Sequence, residues 1–349
     1  MNVLFVMEPR NNAGCTHALA NYARVGEQSG HTMALYGTPE LDMRLTTDVR
    51  AFGRVIYVFE SELYRLNRLR EVAMLATIPR RHRYILDADA KYNPMIVVDG
   101  YDRNHLNEDD RANWLQFYDA LSGRIFKSTI APSDDPRVTT LPFFGFDPTL
   151  LVPSASAPPK QYDILYVGHN WWRWKEVSEE LLPAFEQIRD QVGEIGFAGL
   201  WWDHVPEWAE AKGLGLAFQV DTQEFRQLGI SVEPPVPYTD VIRKMSAGRV
   251  NIFSPRPFLR HVKYLTQRYF EEFCADTIPL LMLEPDFAEA VYGPAGRELT
   301  LPGRVAEKVL DALQRPDHYR GIVEEVRRHL IVHHSYSRRV AELITALSD

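Results

Sequence analysis

The sequence predicts an α/β protein built from two Rossmann-like domains that face each other across a cleft. Apolar runs rich in Val, Ile, Leu and Phe recur along the chain, and helical patterns lie between them. A proline-rich stretch at 132–160 separates the runs into two groups. Continuous apolar runs are typical of strands buried on both faces, and intervening helices are typical of parallel βαβ units.

The predicted strands fall into two sets. The first set lies at 3–7, 32–36, 55–59, 95–98 and 129–131, and the second at 163–167, 194–199, 249–253 and 278–283. Between the first two runs, helical spacing predicts a helix over 16–29 that ends at Gly30. We place a first domain at 1–155, a second at 156–334, and a last helix at 335–349 with Ser335 as its N-cap.

The composition of the chain limits the classes of protein to which it can belong. The chain of 349 residues is 45% apolar and 25% charged, which is ordinary for a globular protein. Its formal net charge of −8 leads us to expect no nucleic-acid partner. Two distant cysteines, no signal-peptide pattern and no long apolar run predict a cytoplasmic protein. Peripheral membrane contact and the oligomeric state stay open.

The segment most informative about function is Leu265 to Leu280. Arg268 and Glu271 stand three apart at the start of a helix, followed by the apolar run at 278–283. This spacing places a cation for phosphate beside a carboxylate for sugar hydroxyls. An isolated pair of this kind is more often a surface ion pair with nothing bound.

The segment resembles the donor-binding element of GT-B glycosyltransferases, and most of all the CgeB-like (spore maturation protein) group, with Arg268-Tyr269-Phe270-Glu271 as its Arg-x-Phe-Glu. The resemblance implies that Glu271 binds the ribose, and that Thr266 and Arg268 lie beside the diphosphate. It also implies that the last helix, at 335–349, crosses back to the first domain. It departs from the group's pattern at Lys263, where many retaining relatives have a second glutamate, and at Asp276, where glycine is usual.

Two further segments supply candidate donor-binding residues. The turn after the run at 163–167 carries Gly168, His169 and Arg173, and turns before a helix N-terminus are natural phosphate sites. The loop after the run at 249–253 adds Arg256, followed by Lys263, as positive charge. Trp171, Trp172 and Trp174, or Trp202, could instead form an aromatic platform or a packed core.

In the first half, the resemblance to GT-B enzymes implies that the turn after the opening strand holds the acceptor, with Asn11, Asn12 and Gly14 as candidate acceptor-binding residues. The following helix carries His17, a candidate general base if the enzyme inverts configuration. Asp99 and Asp102 could orient His17 or bind the acceptor, although an Asp-Gly at a strand end is often only a turn.

The function implied is transfer of a sugar from a nucleotide-diphosphate sugar to a hydroxyl or amine of a glycan, protein or small molecule. By the same resemblance we expect no cofactor and no metal, since GT-B enzymes generally hold the diphosphate with helix dipoles and basic side chains. Two alternatives stay open: a sugar-nucleotide epimerase or hydrolase on the same frame, and an inactive protein that binds nucleotide sugars. The sequence specifies neither the donor nor the stereochemical outcome.

Overall fold

Two parallel sheets organise the chain. The computed structural model describes residues 1–7, 14–36, 49–59, 77–87, 116, 118–133, 135–211 and 214–348. The first sheet contains β1 (Asn2–Val6), β2 (Thr32–Tyr36), β3 (Arg54–Phe59), β4 (Arg83–Asp87), β5 (Arg124–Lys127) and β6 (Val138–Thr140). Its strands are parallel in the order β2-β1-β3-β4-β5-β6.

The second sheet is parallel as well. Its strands are β7 (Tyr162–Val167), β8 (Ile195–Ala198), β9 (Ile230–Glu233), β10 (Gly248–Phe253) and β11 (Ile278–Leu281). They lie in the order β11-β10-β7-β8-β9. The chain therefore reverses its direction of travel across the sheet between β7 and β10. Ligands of open α/β sheets bind in the crevice at such a reversal, beyond the carboxyl ends of the strands.

Helices cover both sheets. The first half contributes α1 (Gly14–Gln28), whose buried face includes Ala18, Leu19 and Tyr22. The second half contributes α2 (Trp174–Glu176), α3 (Leu182–Ile188), α4 (Glu207–Ala211), α5 (Thr222–Gln227), α6 (Val241–Met245), α7 (Pro257–His261), α8 (Arg268–Glu271), α9 (Pro285–Tyr292), α10 (Val305–Gln314), α11 (Pro316–His334) and α12 (Tyr336–Ser348). A π-helical turn, Val177–Leu181, joins α2 to α3.

The last helix, α12, packs against α1 in the first half of the chain. Ser335 Oγ accepts a hydrogen bond from the Arg338 N–H at 3.4 Å, the geometry expected of an N-cap. At the other end, Arg54 donates to the Leu347 carbonyl and Arg124 to the Ala346 carbonyl, both at 3.1 Å. These cations satisfy carbonyls that have no partner within the helix and complement the negative end of its dipole.

The two halves also contact each other at residues predicted to form a strand. The run at 129–131 is not a strand, because Thr129 pairs across the halves in an isolated bridge with Tyr264. Its hydroxyl donates to the Val262 and Lys263 carbonyls at 2.9 and 2.8 Å. Strands β4, β5, β6 and β9 were not predicted, and the run at 95–98 lies outside the described residues. The boundaries at residues 155 and 334 stay predictions.

Candidate functional site

A cavity of about 940 Å³ opens where the second sheet reverses. We call it the switch-point cavity. Its walls are the segments after β7, β8, β9 and β10, together with side chains from α8. Its lining residues include Gly168, His169, Trp171, Arg173, Gly199, Trp201, Trp208, Phe218, Pro235, Pro237, Tyr238, Ser254, Arg268 and Glu272.

Arg173 spans the reversal point. Its Nε donates to the Ser254 carbonyl after β10 at 2.9 Å, and its Nη1 donates to the His169 carbonyl after β7 at 2.9 Å. Ser254 is itself held by Glu176, which is buried and pairs with Arg260. Because carbonyls orient a guanidinium without neutralising it, Arg173 keeps its positive charge at the cavity wall.

His169 presents a fixed, uncharged hydrogen-bond donor. Its Nδ1 accepts the Leu200 N–H at 3.0 Å, so the proton of the neutral ring is on Nε2. Desolvation of the ring by surrounding protein atoms, together with the charges of Arg173 and Arg268, lowers the pKa of His169 to about 4. At neutral pH the Nε2–H is therefore able to donate to an anion.

Arg268 lies among acidic side chains. Its Nε is 3.5 Å from Glu271 Oε2, and Glu272 is next along the chain. Burial alone would lower the pKa of Arg268, but Glu271 and Glu272 outweigh it and raise the pKa. Arg268 and Glu272 line the switch-point cavity, whereas Glu271 lines a second cavity, which runs along α1.

Glu272 is the carboxyl that faces the switch-point cavity. It is fully buried, and burial raises its pKa to about 8 even though Arg268 and a hydrogen bond from Asn251 favour the charged form. At neutral pH the group is thus largely protonated and can donate as well as accept a hydrogen bond.

Aromatic side chains form the outer wall of the cavity. Trp201 and Trp171 pack against Phe218 with ring centroids 4.6 and 4.7 Å apart, and Trp208 completes the group at 5.1 Å. Trp201 has a φ of 67°, which is unusual for a bulky residue. Trp202 is buried instead, and its Nε1 donates to the Gly168 carbonyl at 2.7 Å, so it supports the loop and does not line the cavity.

Gly199 lets the loops after β7 and β8 meet. A Cβ on Gly199, whose φ is +155°, would lie 2.0 Å from the Gly168 carbonyl oxygen. Replacing Gly199 with alanine is therefore expected to destabilise the fold by about 3 kcal/mol, measured as a lower urea midpoint at an unchanged slope.

Gly303→Ala is the matched control for this change. Gly303 also has a positive φ, +74°, but no atom lies within 4 Å of its added Cβ. Only the left-handed backbone is strained there, at about 1 kcal/mol. Equal urea midpoints for the two variants would contradict the contact between the loops.

A second cavity, of about 660 Å³, runs along α1 between the two halves. We call it the α1 cavity. Its α1 wall includes His17, Asn21 and Arg24, and its opposite wall includes Tyr238, Gln267 and Glu271. Gly14 permits this close approach, because a Cβ there would lie 2.9 Å from Gln267 Cβ. Tyr238 lines both cavities and forms the wall between them.

The structure brings some of the predicted site residues together. Gly168, His169, Arg173 and Arg268 line the switch-point cavity, while His17 and Glu271 line the α1 cavity. Arg256, Lys263 and Thr266 line neither cavity. Asn11, Asn12, Asp99 and Asp102 lie outside the described residues. The roles of all these residues stay predictions.

The three donor-binding candidates outside the cavities make other contacts. Arg256 places its guanidinium 5.7 Å from the ring centroid of Phe258. Lys263 is exposed, has a φ of 50°, and uses its carbonyl to contact the first half at Thr129. The Thr266 carbonyl accepts the Tyr269 N–H at 3.2 Å at the start of α8.

Sequence reasoning missed Tyr238 and Glu272. Tyr238 follows three prolines, Pro234, Pro235 and Pro237, in the loop after an edge strand that was itself not predicted. Glu272 was visible only as the neighbour of Glu271.

In the described part of the chain, no group of three His, Cys, Asp or Glu residues could hold a metal ion. No helix among the same residues is long and apolar enough to cross a membrane.

These two parallel sheets and the intervening cleft define a GT-B glycosyltransferase fold, as solved structures confirm. The β-glucosyltransferase of phage T4 superposes with a TM-score of 0.56 at 12% identity, covering 99% of each chain. An α-glucosyltransferase in complex with UDP and a 13-mer DNA gives 0.59 at 11% identity over 100% of each chain. At these identities the likeness shows the fold alone.

Other comparisons limit what can be said of family and partners. No protein-family model matches the chain, and no curated protein matches it. The resemblance to the CgeB-like group is therefore not confirmed. The exclusion of nucleic acid was wrong, because structures with this fold are described in complex with DNA. Net charge averages over the whole surface, whereas a local basic region suffices to bind phosphates.

Proposed function

We propose that this protein is a glycosyltransferase that takes a sugar from a nucleotide-diphosphate donor held in the switch-point cavity. One observation carries the proposal: Arg173, Arg268 and the neutral His169 donor converge on the reversal point of a GT-B sheet. Cations and N–H donors at such a point are what a diphosphate requires.

The chemistry follows from where charge develops. The bond between the anomeric carbon and the diphosphate oxygen breaks, and its electron pair stays on the diphosphate. An acceptor oxygen or nitrogen forms the new bond, and its proton goes to a base, for which His17 is the candidate if configuration inverts. Arg173 and Arg268 would stabilise the leaving diphosphate, which is usually the largest contribution to such a reaction.

Two carboxyls are placed to bind the nucleoside. Glu271 is the position that the family resemblance assigns to the ribose, and Glu272 faces the switch-point cavity. They are adjacent in sequence and both lie within the electrostatic reach of Arg268. We propose that the ribose hydroxyls bind at this pair, and that the aromatic wall of Trp171, Trp201 and Trp208 borders the donor.

The fold neighbours suggest which substrates to try first. Their descriptions name UDP-glucose as a substrate, and others name complexes with UDP and DNA. UDP-glucose is accordingly our first donor, and DNA joins glycans, proteins and small molecules as an acceptor to test. One neighbour is described with UDP and Mn²⁺, so we treat metal dependence as a quantity to measure and derive no step through a metal.

Thermal melting of the purified protein tests the proposal. UDP, GDP, dTDP and CDP are each titrated up to saturation, ~100 times the dissociation constant, in the presence of Mg²⁺, Mn²⁺ or EDTA. We expect one of them to stabilise the protein by about 2.7 kcal/mol, a shift of several degrees. An equal shift in EDTA would support metal-independent binding. No shift with any nucleotide, in any of the three conditions, would overturn the proposed function.

A further inference from the structure

Tyr238 stands at the junction of the two cavities. It opens the short helical turn Tyr238–Asp240, directly after Pro237, and its side chain lines both the switch-point cavity and the α1 cavity. Arg173, His169 and Arg268 lie on its switch-point side, whereas His17 and Glu271 lie on its α1 side. A change in the position of this one side chain therefore alters the shape of both cavities.

The ring of Tyr238 packs on His17 of the other half of the chain. Their ring centroids are 4.2 Å apart, with an angle of 23° between the ring planes, which is a stacked arrangement. Gly14 lies one turn earlier on α1, and a Cβ there would sit 3.5 Å from the Tyr238 hydroxyl oxygen. The imidazole of His17 is thus positioned by a surface that belongs to the second half.

The hydroxyl of Tyr238 binds the carboxylate predicted to hold the ribose. It donates to Glu271 Oε1, while Arg268 lies 3.5 Å from Oε2 of the same group. Glu271 is almost fully buried, with 3% of its surface exposed. Burial, and then Glu271, raise the pKa of Tyr238 well above its usual value, so the hydroxyl keeps its proton at neutral pH.

We infer that Tyr238 is a positioning residue that couples occupancy of the donor site at Glu271 to the placement of His17. The inference rests on the proposed function. A ribose that reaches Glu271 adds hydroxyl donors to a carboxylate that Tyr238 already engages, so the phenol must share or give up its hydrogen bond. Because the phenol and the stacked ring are one rigid group, that change is transmitted to the His17 imidazole.

Nuclear magnetic resonance of ¹³C- and ¹⁵N-labelled histidine tests this link, with UDP as the probe and His17→Gln to assign the His17 signals. In the wild-type protein we expect UDP to shift the His17 ring resonances. In Tyr238→Phe the stack remains but the hydroxyl is lost, so bound UDP displaces no phenol from Glu271 and the His17 response should shrink. In Tyr238→Leu the His17 signals should already differ before UDP is added.

Tyr319→Phe is the matched control, because the Tyr319 hydroxyl also donates to a carboxylate, Asp311, at 2.7 Å. It lies on α11, outside both cavities, and its loss should leave UDP affinity and His17 unchanged. If Tyr238→Leu does not fold, Tyr238→Phe alone tests the coupling, through the size of the change in the His17 resonances when UDP is added.

The possible failures are distinguishable. If UDP binds the wild-type protein but leaves the His17 signals where they were, the coupling is overturned and the proposed function stands. If UDP binds Tyr238→Phe and produces the wild-type His17 shift, the coupling is also overturned. If neither UDP nor another nucleotide diphosphate binds the wild-type protein, the proposed function falls and this inference falls with it.

Discussion

Replacing Arg268 by alanine is expected to weaken the binding of the nucleotide diphosphate by about a hundredfold. Arg268 is the cation between Glu271 and Glu272, and it lines the switch-point cavity with Arg173. Charge-assisted hydrogen bonds are each worth roughly 1.5–3 kcal/mol, and a guanidinium can make two to a phosphate. Isothermal titration calorimetry with the nucleotide that raises the melting temperature measures the loss.

The loss of binding free energy in Arg268→Ala should exceed the contribution of the contact between Arg268 and the phosphate. Without Arg268, the buried Glu271 carboxylate remains at the site with no cation beside it, so the local field repels an anion. Arg268→Lys keeps the charge but loses the planar fork, and we expect it to bind with intermediate affinity. This order of affinities, wild type above lysine above alanine, separates the role of charge from that of geometry.

Arg304→Ala is the control for the loss of an arginine. Arg304 is exposed, precedes α10, and pairs with Glu307, so its removal should leave nucleotide affinity unchanged. Wild-type affinity in Arg268→Ala, with the protein folded, would remove Arg268 from the donor site. Because Arg268 also neutralises buried carboxyls, the melting temperature of each variant must be measured beside its affinity.

The second sheet was predicted better than the first because four of its five strands fall on apolar runs recognised in the sequence. Strands β7, β8, β10 and β11 all coincide with predicted runs. In β9 the apolar Ile230 and Val232 alternate with polar residues at the sheet edge, and β6 has only three residues. Short or alternating segments carry too little periodicity to be recognised without their neighbours.

Some residues of the candidate site could likewise be predicted from local sequence, and others could not. Gly168, His169 and Arg173 follow a recognisable strand, so their place at the switch-point cavity could be predicted from local sequence. Adjacent residues on a helix point about 100° apart, and four-residue α8 gives no periodicity to tell whether Glu271 or Glu272 faces that cavity. The stack of Tyr238 on His17 depends on two distant segments meeting, which no local pattern encodes.

Replacing His17 by glutamine is expected to reduce turnover by a factor of about 10²–10⁴ while leaving nucleotide affinity close to wild type. Glutamine approximates the size of the imidazole and keeps hydrogen-bonding groups, but it cannot take a proton at neutral pH. His17 lines the α1 cavity and is separated from the switch-point cavity by Tyr238, so donor contacts should survive. The rate of UDP release with saturating donor and acceptor measures the effect.

His31→Gln makes the same substitution at the other end of the α1 cavity, where His31 contacts the N-terminal amine at 3.0 Å. It should turn over at the wild-type rate. A general base also imposes an acidic limb on the pH–rate profile, and that limb should disappear in the residual activity of His17→Gln. Wild-type turnover in His17→Gln would show that His17 only packs against Tyr238. The proton would then have to leave by another route, as it does when a retaining enzyme uses the departing diphosphate itself as the base.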